Sequence, residues 1–183
     1  RPGGSPAPSR HPSRPPIAET PSFHTRFPIS LSESLESIGD GAFINCDALE
    51  KVEYGKNLKS FGSGVFRSCA KLCDEDGFLI INGALLQYRG EDRTVTVPDG
   101  VTYVAGEAFY DCDALDLVVL PESVTELGDK AFAYCSIDYV SLPESLQKIG
   151  ANAFMNSSTT RVIIPAGVRE IGYCAFSYTL VIV

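Results

Sequence analysis

The chain has 183 residues, 44% of them hydrophobic, which is enough to bury a core, and a formal net charge of −8. The charge is uneven: residues 1–29 carry Arg1, Arg10, Arg14 and Arg26 against Glu19 alone, which leaves eleven basic and twenty-two acidic side chains for the remainder. A folded part that acidic disfavours phosphate backbones and hence nucleic acid, and no apolar run approaches the roughly 18 residues of a membrane span, so membrane insertion of this segment is not expected.

Residues 1–29 come first. Eight of the twelve prolines lie in residues 1–28, interspersed with Gly, Ser and Arg. Proline blocks regular hydrogen bonding, and such a composition buries too little apolar surface to offset the entropy of ordering. The segment reads as a disordered Pro/Ser/Arg-rich tail or linker, and it lacks the apolar stretch of a signal peptide. Both histidines, His11 and His24, fall in it. The remaining residues therefore lack the commonest general base and metal ligand.

From residue 30 onward the chain repeats itself. Anchored on a phenylalanine, the copies are LSESLESIGDGAF (to Phe43), KNLKSFGSGVF (Phe66), PDGVTYVAGEAF (Phe109), PESVTELGDKAF (Phe132), PESLQKIGANAF (Phe154) and PAGVREIGYCAF (Phe176). The intervals of 23, 43, 23, 22 and 22 residues mark a repeat protein with one irregular unit in the 43-residue gap. In each unit a short apolar alternation such as Val52–Tyr54, Val95–Val97, Val118–Leu120 or Val162–Ile164 predicts a strand. Pro98, Pro121, Pro143 and Pro165 close four of the strands. Gly39, Gly62, Gly128, Gly150 and Gly172 are expected where the chain needs positive φ or close approach, with Ala105 in that place in the third copy. One strand per unit predicts a single parallel sheet along one side of the coil. In the gap, Phe78–Ile81 and Ala84–Tyr88 flank Asn82-Gly83, the dipeptide suited to a type I′ turn, so a β-hairpin is expected, standing off from the regular coil.

The pattern P-x-x-L/V-x-x-I-G-x-x-A-F-x-x-C-x-x-L resembles the BspA-type (Treponema pallidum-type) leucine-rich repeats of bacterial surface proteins, over residues 30–183. Asp76–Thr102 resembles an irregular unit of that family, while Ser157, Thr179 and the short last unit depart from the pattern. The fold expected is a leucine-rich-repeat solenoid of about six units of 22–23 residues, with short parallel strands, a convex side of turns and 3-10 segments, and an inserted hairpin unit at about residues 73–97. The chain stops in mid-unit at Thr179–Val183 without a polar cap, which reads as a fragment.

Candidate chemistry is sparse. Cys46, Cys69, Cys112 and Cys135 share one repeat position, three after the aromatic, and read as a row of small buried thiols; Cys73 and Cys174 are out of phase, Cys174 near the surface. Asp74-Glu75-Asp76-Gly77 with Glu91-Asp92 matches no calcium loop and reads as a solvated acidic turn. No nucleophile–base pair, phosphate loop or metal set appears, so no catalytic residue, metal or cofactor is expected. In each strand, residues two and four before the turn should face outward. They form a column of Lys51 and Glu53, Thr94 and Thr96, Leu117 and Val119, Tyr139 and Ser141, Arg161 and Ile163. Its apolar middle is the candidate protein-binding patch, on the concave face that solenoids use. The resemblance implies a secreted or cell-surface bacterial protein with an adhesive role toward a host or neighbouring-cell protein. The alternative is an architectural spacer that displays another domain.

Overall fold

The structure is a computed structural model describing residues 28–113, 115–159 and 162–179. In chain order its strands are β1 (Ile29–Ser30), β2 (Ser37–Ile38), β3 (Val52–Glu53), β4 (Ser60–Phe61), β5 (Phe78–Ile81), β6 (Ala84–Tyr88), β7 (Thr94–Thr96), β8 (Tyr103–Val104), β9 (Leu115–Val119), β10 (Glu126–Leu127), β11 (Ile137–Ser141), β12 (Lys148–Ile149) and β13 (Glu170–Ile171). One 3-10 turn, Ala70–Leu72, is the only helical element among the described residues. Most of residues 1–29 lie outside the description.

Regular coils contribute two strands rather than the single one expected. The apolar alternations build a first ladder, split into β1–β3 and β7–β9–β11, all parallel. A second parallel ladder runs through the residues before each glycine, as β2–β4 and as β6–β8–β10–β12–β13. In five of its two-residue strands the second side chain points inward, and Ile38, Phe61, Val104, Leu127 and Ile149 are all buried, while Ile171 of the outermost strand β13 is 49% exposed. Two residues carry no readable period, so this ladder left no alternation in the sequence.

Ring stacking sets the coil spacing. Phe132 packs on Phe154, and Phe154 on Phe176, each with centroids 5.2 Å apart and planes within 4°. Those values match parallel strands about 4.8 Å apart. Backbone bonds step along the same column: the Phe109 N–H donates to the Ala131 carbonyl (2.9 Å) and that of Phe132 to Ala153 (2.8 Å). Tyr88 makes the corresponding bond to Ala108 at 2.9 Å, and its ring lies 5.3 Å from Phe109. Tyr88 is therefore the anchor of the irregular coil, 22 residues after Phe66 and 21 before Phe109.

The hairpin β5–β6 forms as expected, with φ of 49° at Asn82 and 80° at Gly83, both positive as the turn requires. It does not stand off from the coil. β6 pairs in parallel with β8, Ala84 opposite Tyr103 and Leu85 opposite Val104, and all five of its residues are buried. Leu79, Ile81, Ala84 and Leu86 join a core with Leu58 and Phe66, while Phe78, Leu85 and Tyr88 join a second core with Phe109 and Phe132. The apolar run FLIINGALLQY thus serves strands buried on both faces, and the hairpin is a partition between two cores.

Gly62, Gly128, Gly150 and Gly172 answer to close approach, not to positive φ, whereas a Cβ on Gly39 would meet nothing within 4 Å. A Cβ on Gly128 would lie 2.4 Å from the Gly106 nitrogen, and one on Gly150 2.5 Å from the Gly128 carbonyl carbon. Positive φ falls instead two residues before and two after each phenylalanine anchor, as at Lys130 (57°) and Tyr134 (59°) around Phe132, but not around Tyr88.

Candidate protein-interaction face

The strand register assembles the middle of the predicted column. Thr94, Leu117 and Tyr139 lie in one row, and Thr96, Val119 and Ser141 in the next. Inward neighbours Val95, Val118 and Val140 are buried, so these six project from the other side of the sheet. Thr94 and Thr96 are exposed; Leu117, Val119, Tyr139 and Ser141 are half-buried against one another. Ile163 is exposed but lies in no described strand, and Arg161 lies outside the described residues.

Lys51 and Glu53 are exposed and bonded to each other at 2.9 Å on the separate β1–β3 sheet. The irregular coil supplies no strand to the first ladder, so β3 and β7 are the inner edges of a break. A cleft of about 380 Å³ lies at that break between Lys51, Val52, Tyr54 and the strand β5. Tyr54 and Ile164 alternate with the outward positions Glu53 and Ile163 and so should turn inward, yet they are 40% and 43% exposed.

The outward column of the second ladder has a different chemistry. Lys148 sits between its register partners Glu126 (3.1 Å) and Glu170 (3.9 Å), and the Glu126 carboxylate raises its pKa above the ordinary lysine value. Charges that neutralise one another in water make a solvated face worth little as a contact. At the edge of the first ladder, Arg93 and Asp116 form a two-point pair at 2.7 and 2.8 Å, which lowers the pKa of the Asp116 carboxyl. The apolar rows of β9 and β11 thus lie beside a charged rim.

The thiols have a structural account. The Cys69 Sγ donates to the Phe43 carbonyl (3.0 Å) and the Cys135 Sγ to the Phe109 carbonyl (2.7 Å). Ser157 and Thr179, the departures from the pattern, make the same bond with hydroxyls to Phe132 and Phe154, each at 2.5 Å. All six cysteines are free, with Cys69 and Cys135 buried and Cys46 and Cys112 half-buried. Asp74, in the acidic stretch, accepts the amides of Asp76 (3.1 Å) and Phe78 (2.8 Å) and so shapes the entry to the hairpin. Among the described residues no group of His, Cys, Asp and Glu is arranged to hold a metal ion, and no helix is long and apolar enough to cross a membrane.

Three solved structures resemble this fold. The pneumococcal vaccine antigen PcpA superposes with a TM-score of 0.55 at 23% identity, over 79% of this chain and 46% of its own. A leucine rich cell surface protein from Faecalibacterium prausnitzii gives 0.46 at 20% identity, over 79% of this chain and 49% of its own. The T. pallidum leucine rich repeat protein gives 0.42 at 23% identity, over 79% and 68%. The chain spans about half the length of the first two. Comparison with curated proteins returns no match. The model of the BspA type leucine rich repeat region matches six copies over residues 25–75 and 82–183. With its coils, ring column and repeat register accounted for, the chain belongs to the BspA-type leucine-rich repeat family.

Proposed function

We propose that this is a non-catalytic protein-binding module of a secreted or cell-surface bacterial protein, adhesive toward a host or neighbouring-cell protein. The observation that carries the reading is the pair of rows Thr94–Leu117–Tyr139 and Thr96–Val119–Ser141, aligned by register and facing away from the core. Apolar and aromatic side chains held on a rigid sheet lose little entropy on binding, and tyrosine is favoured at the energetic centre of interfaces. The family and the fold shared with PcpA, described as a vaccine antigen, support the surface setting. Its outer members on this reading are Lys51 and Glu53, across the break on the β1–β3 sheet, and the exposed Ile163.

The test is surface-plasmon binding to a panel of host extracellular proteins, with Leu117→Asp and Tyr139→Asp beside the wild type. The expected result is loss of the captured partner in both variants with the unfolding midpoint retained. Unchanged capture by folded variants would reject the face, and no capture by the wild type would favour the spacer role.

A further inference from the structure

We infer that the groove opened by the irregular coil binds a single carboxylate of a protein partner, with Arg89 as its anchor. The groove has a structural cause. The Gly64 N–H donates to the Gly106 carbonyl at 2.9 Å, so the Phe66 coil abuts the Phe109 coil directly at that point. Beyond it, the Ala108 carbonyl is taken by Tyr88 at 2.9 Å, and the irregular coil is wedged between the two. They diverge, leaving an open groove of about 690 Å³ lined by Asn45, Arg67, Ser68, Arg89, Tyr110 and Asp111.

The two arginines differ in state. Arg67 is held: its Nη1 lies 2.9 Å from Glu107 Oε2, and its guanidinium stands 5.2 Å above the Tyr110 ring. The Glu107 side chain is only 11% exposed and has Lys130 as a second cation at 3.8 Å, so this charge is already matched. Arg89 is half-buried and donates one Nη1 bond of 3.4 Å to the Tyr110 carbonyl; among the described residues it makes no ion pair. A guanidinium carries five donors, and a half-buried cation with one weak acceptor favours an incoming anion.

The surroundings select which anion. The repeat region carries twice as many acids as bases, and exposed Asp111 stands on the groove wall, so a polyanion meets repulsion beyond the first charge. A planar carboxylate matches the guanidinium fork. Tyr110, packed 5.3 Å from Tyr134, gives an aromatic wall for the chain that bears it. A peptide C-terminus or an Asp or Glu beside an apolar residue has that chemistry.

The probes are sodium acetate and a short apolar peptide with a free C-terminal carboxylate. The control is the same peptide amidated, at matched ionic strength, followed by the arginine Nε–H signals in NMR. The expected result is a saturable shift of the Arg89 signal with acetate and the free peptide and none with the amide. Affinity for the free peptide, read from its own shifts, should fall about tenfold in Arg89→Lys, which keeps the charge but loses the fork, and vanish in Arg89→Gln. Leu117→Asp should leave it unchanged, which separates this site from the β9 face. An absent shift, an equal response to the amide, or sulfate binding tighter than acetate would overturn the assignment. If Arg89→Gln fails to fold, Arg89→Lys decides the question.

Discussion

The Ser157 hydroxyl donates to the Phe132 carbonyl at 2.5 Å, the position in which Cys135 serves Phe109 at 2.7 Å. What the coil needs there is a small donor aimed one coil back, and thiol and hydroxyl both supply it. Ser157→Cys should therefore cost less than about 1 kcal/mol, while Ser157→Ala, which orphans the buried carbonyl, should cost about 1–3 kcal/mol. Urea unfolding of the two variants measures the difference; equal midpoints would remove the hydrogen bond from the account.

Tyr88 occupies an anchor position that phenylalanine fills elsewhere, and its buried hydroxyl lacks a well-formed hydrogen bond; the Asp92 amide is near it. Tyr88→Phe should be neutral or stabilising, because it removes an unsatisfied polar atom while keeping the ring. Tyr88→Ala should cost about 3–5 kcal/mol. A thermal melt in which Tyr88→Phe falls markedly below wild type would point to a bond the hydroxyl needs.

Two backbone rules predict opposite outcomes for similar-looking changes. Gly150→Ala would place a Cβ 2.5 Å from the Gly128 backbone and should destabilise by about 1–3 kcal/mol. Lys130, at a φ of 57°, is a non-glycine residue in the left-handed region, and Lys130→Gly should gain up to about 1 kcal/mol. Denaturant midpoints moving the same way in both variants would contradict this assignment of the two positions.

Burial pushes the Cys69 thiol up to about 11, from an ordinary value near 9. In the unfolded chain the thiol ionises near pH 8.5. A raised folded pKa means the stabilisation is complete below that pH and is lost as the pH climbs toward 11. Stability should fall between about pH 8.5 and 11, and Cys69→Ser, which keeps the donor without the titration, should flatten the fall. A wild type and variant with parallel pH profiles would assign the loss elsewhere. Cys174 behaves oppositely: hydrogen bonds from Ser177 and then Tyr173 lower its pKa, so it should be the first thiol alkylated.

Much of this fold was legible because the repeat aligned its own evidence: Phe109, Phe132, Phe154 and Phe176 each stand one coil apart, and the prolines mark where the longer strands stop. Tyr88 is hidden among the anchors because the other six are phenylalanine, although its spacing of 22 and 21 residues fits the period. The second ladder escaped because Leu127 or Ile149 in a two-residue strand has nothing to alternate with. The face on β9 and β11 could be placed by counting back from Pro121 and Pro143. Its break at the irregular coil could not, because β5 and β6 read as a self-contained hairpin. Arg67 and Arg89 each follow an anchor by one residue, and nothing in the sequence shows that the coils part there to leave both on the wall of one groove.

The hairpin's two buried faces have a consequence for how the domain comes apart. A stack of repeats holds together through nearest neighbours and can fray from either end, one coil at a time. Here Leu79 and Leu86 face the amino-terminal core while Leu85 and Tyr88 face the other. Peeling away the first coils would bare one side of a sheet strand that the remaining coils need in place. The partition therefore raises the cost of every half-melted state and joins two short stacks into one cooperative unit.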